Sequence, residues 1–357
     1  METQNSLLNI TARLAVATLI VLVMVVGKSF LVPLAWALLI AMASYRFLNR
    51  MEEKTILSRS MINILFLLFI LIVLFGIGYF FYVELSHIFK DLPALALIIS
   101  QRLHDISLTL KDMGIVIPDH VDKAFISDWA EKHNDLIMNF ISGLGLNIWD
   151  IILVMFYLFF LLYYRDLVIQ FYVKKYESKD RLEKAKVRFN KSLDLVRSYI
   201  YGLVLLTLIS AVMNYLVFLV FGLKFALFFA VFLALLNLIP FIGNPVGLVV
   251  IMLFAIITKE NMLIPILIFV GLFVMNFLQD NVIRPLIVGD KLKINAFAVF
   301  VAIIIGGMIW GVSGMILFIP IVGVAKIILE SRKDSGIYAI FFSEPEKKKK
   351  IVKKKQD

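Results

Sequence analysis

Long apolar runs constrain this chain more than any other feature. Residues 11–27, 29–45, 61–84 and 148–164 are almost free of charge. Each approaches or exceeds the roughly 20 residues that cross about 30 Å of hydrocarbon at about 1.5 Å per residue. Hydrocarbon offers no water to backbone groups, so such runs must close their hydrogen bonds internally, in helices or a closed barrel. Strand-type alternation is absent, which argues against a barrel. The expected fold class is an all-α polytopic membrane protein of about eight membrane segments. A composition of 61% hydrophobic and 17% charged residues lies outside the soluble range and agrees. The run beginning near Leu14 lacks a small-residue cleavage pattern and reads as a retained span.

Charge assigns the sides. The net charge of +10 comes from residues beside the apolar runs and from the tail EKKKKIVKKKQD, a pattern of membrane topology and anionic-lipid attraction; no nucleic-acid partner is expected. Residues 165–198 carry ten Lys or Arg against five acids, whereas 85–147 carry five against eight. The first segment is expected in the cytoplasm with both termini, and the second outside. The organisation that follows has scaffold spans over 1–84, starting with a tight helical hairpin at Gly27 and Lys28. Extracytoplasmic amphipathic helices over 85–147 and a scaffold span over 148–164 come next. A basic cytoplasmic helix or linker covers 165–198, a transport region 199–330 and a basic tail 331–357. Apolar faces on the outer helices need a cover, which makes a homo-oligomer the expected assembly.

Catalytic chemistry finds little support. The chain has no cysteine, so disulfides, thiolate metal sites and cysteine nucleophiles are excluded. His87, His104, His120 and His133 stand far apart within 85–147, without metal-ligand spacing, and no metal or cofactor is expected. The string GVSG at 311–314 resembles the serine motif of rhomboid-type intramembrane proteases. A serine nucleophile needs a histidine base within reach, and every histidine lies outside the expected spans. No HExxH, GxSxG or phosphate-cradling loop is present, and the chain is not expected to be an enzyme.

Two segments break the apolar pattern in the C-terminal half. NLIPFIGNPVG at 237–247 divides an apolar stretch over 225–258, and GGMIWGVSG at 306–314 divides 294–330. Proline removes a backbone donor and glycine holds a helix poorly, so neither stretch is one straight helix. Backbone that leaves the helix at membrane depth must be buried in protein or line a wet cavity. One broken hairpin would enter from each side, an inverted-repeat-like arrangement in which such pairs point to the substrate site of secondary transporters. The candidate substrate-binding residues are Asn237, Pro240, Gly243, Asn244, Pro245, Gly307, Gly311, Ser313 and Gly314. Asparagine both donates and accepts, which suits a neutral polyhydroxylated solute as well as a hydrated cation. Gly243 and Gly247, four apart, could equally let two helices approach closely. Between the hairpins, Asp280 and Arg284 share a helix face, flanked by Gln279 and Asn281; they read as an interfacial ion pair or as a gating or coupling group.

The stretches ALLNLIPFIGNPVG, QDNVIRPLIVGDKLKINAF and IIGGMIWGVSGMILFIPIVG resemble the autoinducer-2 exporter family. Pro240, Gly243, Pro285, Gly289, Gly307, Gly311, Gly314 and Pro320 carry the resemblance, together with Pro33 and RSYIYGLVLL. It implies a bacterial inner-membrane secondary transporter that moves a small polar solute without ATP. In that family the solute is associated with quorum sensing through autoinducer-2, and some members exchange sodium for protons. Here LVVIM follows GNPVG where a further proline is common, and Asp280 stands where glutamate is frequent. The expected function is export of a small polar solute by alternating access, with Na+(Li+)/H+ antiport and a non-transporting membrane scaffold as alternatives.

Overall fold

The computed structural model describes residues 2–112, 148–175, 178–287, 294–330 and 342, and its regular elements are helices. They are α1 (Glu2–Val26), α2 (Lys28–Lys54), α3 (Arg59–Asp112), α4 (Ile148–Tyr163), α5 (Arg165–Lys175), α6 (Lys179–Val220), α7 (Ala226–Leu236), α8 (Gly243–Thr258), α9 (Leu263–Leu278), α10 (Arg284–Ile287) and α11 (Ala296–Glu330). A single π turn, Gln279–Ile283, joins α9 to α10. Among the described residues, five stretches are long and apolar enough to cross a membrane: α2, α3 as far as Ile88, α6, Leu263–Ile287 and α11. Shorter apolar helices accompany them at Leu14–Val26, α4, α7 and α8. The molecule is a multi-pass helical membrane protein.

α2 is the hub. Its small residues Ala37, Ala41 and Ala43 are buried and allow close approach of neighbouring helices, the usual device where lipid supplies no hydrophobic drive between helices. Ala37, Ala41 and Leu48 pack with Ile62 of α3 and Leu158 and Leu162 of α4. Leu39 packs on the opposite side with Leu195 and Val196 of α6 and Leu317 of α11. At the basic end of these helices Arg165 is buried and paired with Glu52. Glu52 also receives Arg59 at 3.5 Å, and Arg59 reaches Asp166 at 2.6 Å. Alternating signs within that group let each buried charge find a partner.

The N-terminal expectation needs correction. No described residue of α1 is buried, so α1 does not form a tight packed hairpin with α2. The backbone at Gly27 has φ −84° and ψ 11°, close to helical. Gly27 N–H still donates to Val23 O at 2.8 Å, and Leu31 N–H to Gly27 O at 2.8 Å. The chain therefore bends at Gly27 without reversing into α2's core face. α3 also exceeds its expected end near residue 84: 54 residues run unbroken to Asp112 and take in the first part of the segment expected to form outer helices over 85–147. The rest of that segment from residue 113, with His120 and His133, lies outside the described residues.

α6 carries the rest. Ser178 caps it by accepting from Arg181 N–H at 3.3 Å, and 42 residues then continue as one helix, roughly 63 Å long. The basic segment and the following span are thus one rod. α7 and α9 pack on its upper part, and α8 packs against both of them, in one cluster around Phe218, Phe229, Leu233, Ile251, Ile268 and Leu272. α11 packs lower down, around Tyr199, Ile303 and Ile319.

Candidate functional site

The first hairpin consists of α7 and α8. α7 spans 11 residues, roughly 16 Å, or half of a bilayer core. Asn237 ends it, and the turn through Pro240 brings Gly243 N–H onto Ile239 O at 3.0 Å. Phe241 takes a positive φ of 64° and is exposed. Pro245 falls in the first turn of α8, where its missing donor leaves nothing unsatisfied. A Cβ at Gly243 would lie 1.6 Å from Leu236 O, and one at Gly247 would lie 2.4 Å from Leu233 Cδ1. These two glycines are where α7 and α8 touch.

Side-chain amides then tie this tip to its neighbours. Asn237 Nδ2 donates to Ser210 Oγ of α6 at 3.2 Å, and Asn214 Nδ2 donates to the same oxygen at 3.3 Å. Across the tip, Asn276 Nδ2 of α9 donates to Asn244 Oδ1 at 3.2 Å. Ser210 and Asn214 are 1% and 2% exposed. Asn237 Oδ1 is buried and has no hydrogen-bond partner. A buried amide oxygen in that condition forfeits about 1–3 kcal/mol.

The second hairpin is folded within α11. At Gly311 φ is 62° and ψ −143°, far from helical, and the chain reverses there. A Cβ on Gly314 would lie 1.9 Å from Gly306 O, and one on Gly306 would lie 2.3 Å from Gly314 O. The two strokes of the hairpin therefore meet backbone to backbone. Gly307 faces Met315 in the same seam, while Gly311 meets nothing within 4 Å. The 35 residues of α11 are thus two half-helices, as expected from GGMIWGVSG, and not one span.

Indoles and a phenol hold this second tip. Ser313 Oγ accepts from Trp36 Nε1 at 3.3 Å, and Trp310 Nε1 donates to Met24 O at 2.9 Å. Pro320 has no N–H to give to Ile316 O one turn back, and Tyr199 Oη fills the gap by donating to that carbonyl at 3.0 Å. Ser313 therefore points to α2 and not to the amides of the first hairpin. The two hairpins meet where Phe241 and Phe300 pack edge to face, centroids 5.7 Å apart.

Gln279, Asp280, Asn281 and Arg284 occupy the π turn and its exit. Such turns are often functional, and Pro285 supplies a local reason for this one by withholding a donor. Arg284 Nε and Nη2 both donate to Asp280 Oδ1, at 3.1 and 2.9 Å, with both side chains more than half exposed. Asn281 bonds back to Phe277 O, and Gln279 is buried. Asp280 follows Asn276 by one helical turn. Among the described residues no group of three His, Asp or Glu could hold a metal ion.

Ser210, Asn214, Asn276, Tyr199, Trp36 and Trp310 are the site residues that sequence reading passed over. Thr207, Ser210 and Asn214 do mark one stripe of an apolar run, at the i, i+3, i+7 spacing of a helix face. Tyr199 could have been sought as the donor that Pro320 makes necessary.

Comparison with known proteins adds a framework. The AI-2E family transporter pattern matches residues 14–333. YrrI of Bacillus subtilis is 32% identical over 136 residues, 38% of each chain. A Haemophilus influenzae relative is 23% identical over 352 residues, 96% of this chain and 99% of its own. The AI-2 transport protein TqsA of Escherichia coli is 23% identical over 154 residues, covering 43% of this chain and 44% of TqsA. With nine-tenths of its length inside that pattern, this chain belongs to the AI-2E family of transporters.

Proposed function

We propose that the chain exports a small, uncharged, polar solute across the bacterial inner membrane, autoinducer-2 being the candidate that the family relationship suggests. The observation that carries this reading is the amide and hydroxyl cluster at the first hairpin's tip, with its unpartnered acceptor on Asn237. Asn237, Asn244, Asn276, Ser210 and Asn214 are all uncharged, so they suit a solute that needs hydrogen bonds and no counter-charge. Pro240 and Pro245 would serve by shaping the turn, since the carbonyls of Leu236, Ile239, Pro240 and Ile242 already accept from backbone donors. Gly243, Gly307 and Gly314 would serve by closing the hairpins, and Gly311 and Ser313 by shaping the opposing tip. Both hairpins would be re-entrant, the first from the outer side and the second from the cytoplasmic side that holds the basic ends and both termini. Alternating access would move the first hairpin and α9 against α2, α4 and the indole-held second hairpin. Neighbouring copies would cover the apolar faces of α1 and α3, where Leu14, Phe69, Ile72 and Phe75 are more than half exposed.

The π turn at Asp280 supports a second reading, exchange of sodium or lithium for protons, in which the Asp280–Arg284 pair would be the coupling group. Purified protein in sealed liposomes separates the two. Saturable uptake of labelled autoinducer-2, with KM raised about tenfold or more in Asn237→Leu and unchanged in Asp280→Asn, supports solute export. Cation flux driven by a pH gradient and lost in Asp280→Asn would replace it with antiport. Absence of both fluxes would turn attention to the scaffold alternative.

A further inference from the structure

We propose that Ser210 and Asn214 form the fixed wall of the solute site on α6, that they position the Asn237 amide to receive a solute hydroxyl, and that this structure shows the site closed. The inference rests on the export reading for its solute, but it has a readout of its own. Two observations lead to it. Asn214 and Asn237 both donate to one oxygen, Ser210 Oγ, so the serine fixes which way the Asn237 amide faces. That orientation leaves Asn237 Oδ1 buried and without a partner.

The geometry also says which part moves. Ser210 and Asn214 sit within a continuous helix that also packs against α2 and α11. Asn237 sits at the tip of a hairpin whose backbone has already left the helix. Lifting that tip from α6 breaks the Asn237–Ser210 bond and exposes a donor–acceptor stripe to entering water. The freed Ser210 hydroxyl, Asn214 amide and Asn237 oxygen then match a solute bearing an O–H donor and an oxygen acceptor. A cation would find no carboxylate among these residues.

Because the chain has no cysteine, a single introduced thiol reports water access without background. Ser210→Cys, a near-isosteric change, is treated in proteoliposomes with 2-hydroxyethyl methanethiosulfonate, a small neutral reagent that needs a hydrated thiolate. Ala230→Cys in the sealed core of the first hairpin, at 0% exposure, is the inert reference, and Glu260→Cys the exposed one. We expect Ser210→Cys to react at least about tenfold faster than Ala230→Cys, and autoinducer-2, not sodium, to slow it. Reaction no faster than at Ala230 overturns the wall assignment, and protection by sodium alone overturns the uncharged class. In flux, Ser210→Ala should raise KM for autoinducer-2 with Vmax retained, and Ser210→Thr should restore it. Equal loss of Vmax in both variants would mean that Ser210 only holds helices together. Should wild type carry no autoinducer-2, the substrate proposal fails while the labelling result still judges the site.

Discussion

The two hairpins solve one folding problem in different ways. Each reverses within the apolar region, and each does so by bringing a glycine against backbone, Gly243 on Leu236 and Gly314 on Gly306. Their tips differ. The first is tied by side-chain amides, one of which leaves an oxygen unused. The second is tied by indole and phenol donors, from Trp310 and Tyr199, to backbone carbonyls that the fold itself had freed. A carbonyl freed by a bend or by proline must find a donor, so the second set of contacts completes a structure. The amide set joins side chain to side chain, a contact that no freed carbonyl demands, and that is the difference between the two tips.

Four substitutions can break or sharpen that contrast. The largest effect is expected where the hairpins are alike. Gly243→Ala and Gly314→Ala each force a Cβ into a carbonyl, and both should lose about 3 kcal/mol or more of stability, seen as a fall in folded protein by fluorescence-detected gel filtration. If only one suffers, the two seams are not equivalent. Next comes Gly311→Ala, which meets no atom within 4 Å but must hold φ near 62° and ψ near −143°. The strain should cost about 1–3 kcal/mol, read as a lowered unfolding temperature in detergent. Tyr199→Phe is the mildest. It strips the donor from Ile316 O and should cost about 1–2 kcal/mol, while leaving the KM of the transported solute unchanged. A raised KM would show that the second hairpin also contacts the solute.

Much of this was legible in the chain. Proline and glycine announce where a helix cannot continue, so the turn at 237–243 and the reversal at Gly311 follow from local chemistry, and so do the spans from apolar length. The first bend was misjudged for an equally local reason: glycine permits a reversal but does not require one, and Gly27 keeps the helical bonds on both of its sides. Partners at long range were not legible. Nothing near Asn237 names Ser210, 27 residues earlier, and nothing near Ser313 names Trp36. Such pairings depend on how helices pack and at what height, which periodicity does not encode. The glycines of the two strings read equally as site or as packing; Gly243, Gly307 and Gly314 lie in the packing seams, and the polar side chains lie beside them.

The unbroken course of α6 has a consequence for tolerated change in length. Tyr199 and Ser210 hold the two hairpins from one helix, 11 residues apart, so their spacing and angle are set by helical geometry alone. One residue inserted between them would raise Ser210 by about 1.5 Å and swing it through about 100°. Asn237 would then face the wrong side of the rod while Tyr199 kept its place. This interval works as a gauge block, and its three turns leave no freedom to gain or lose a residue.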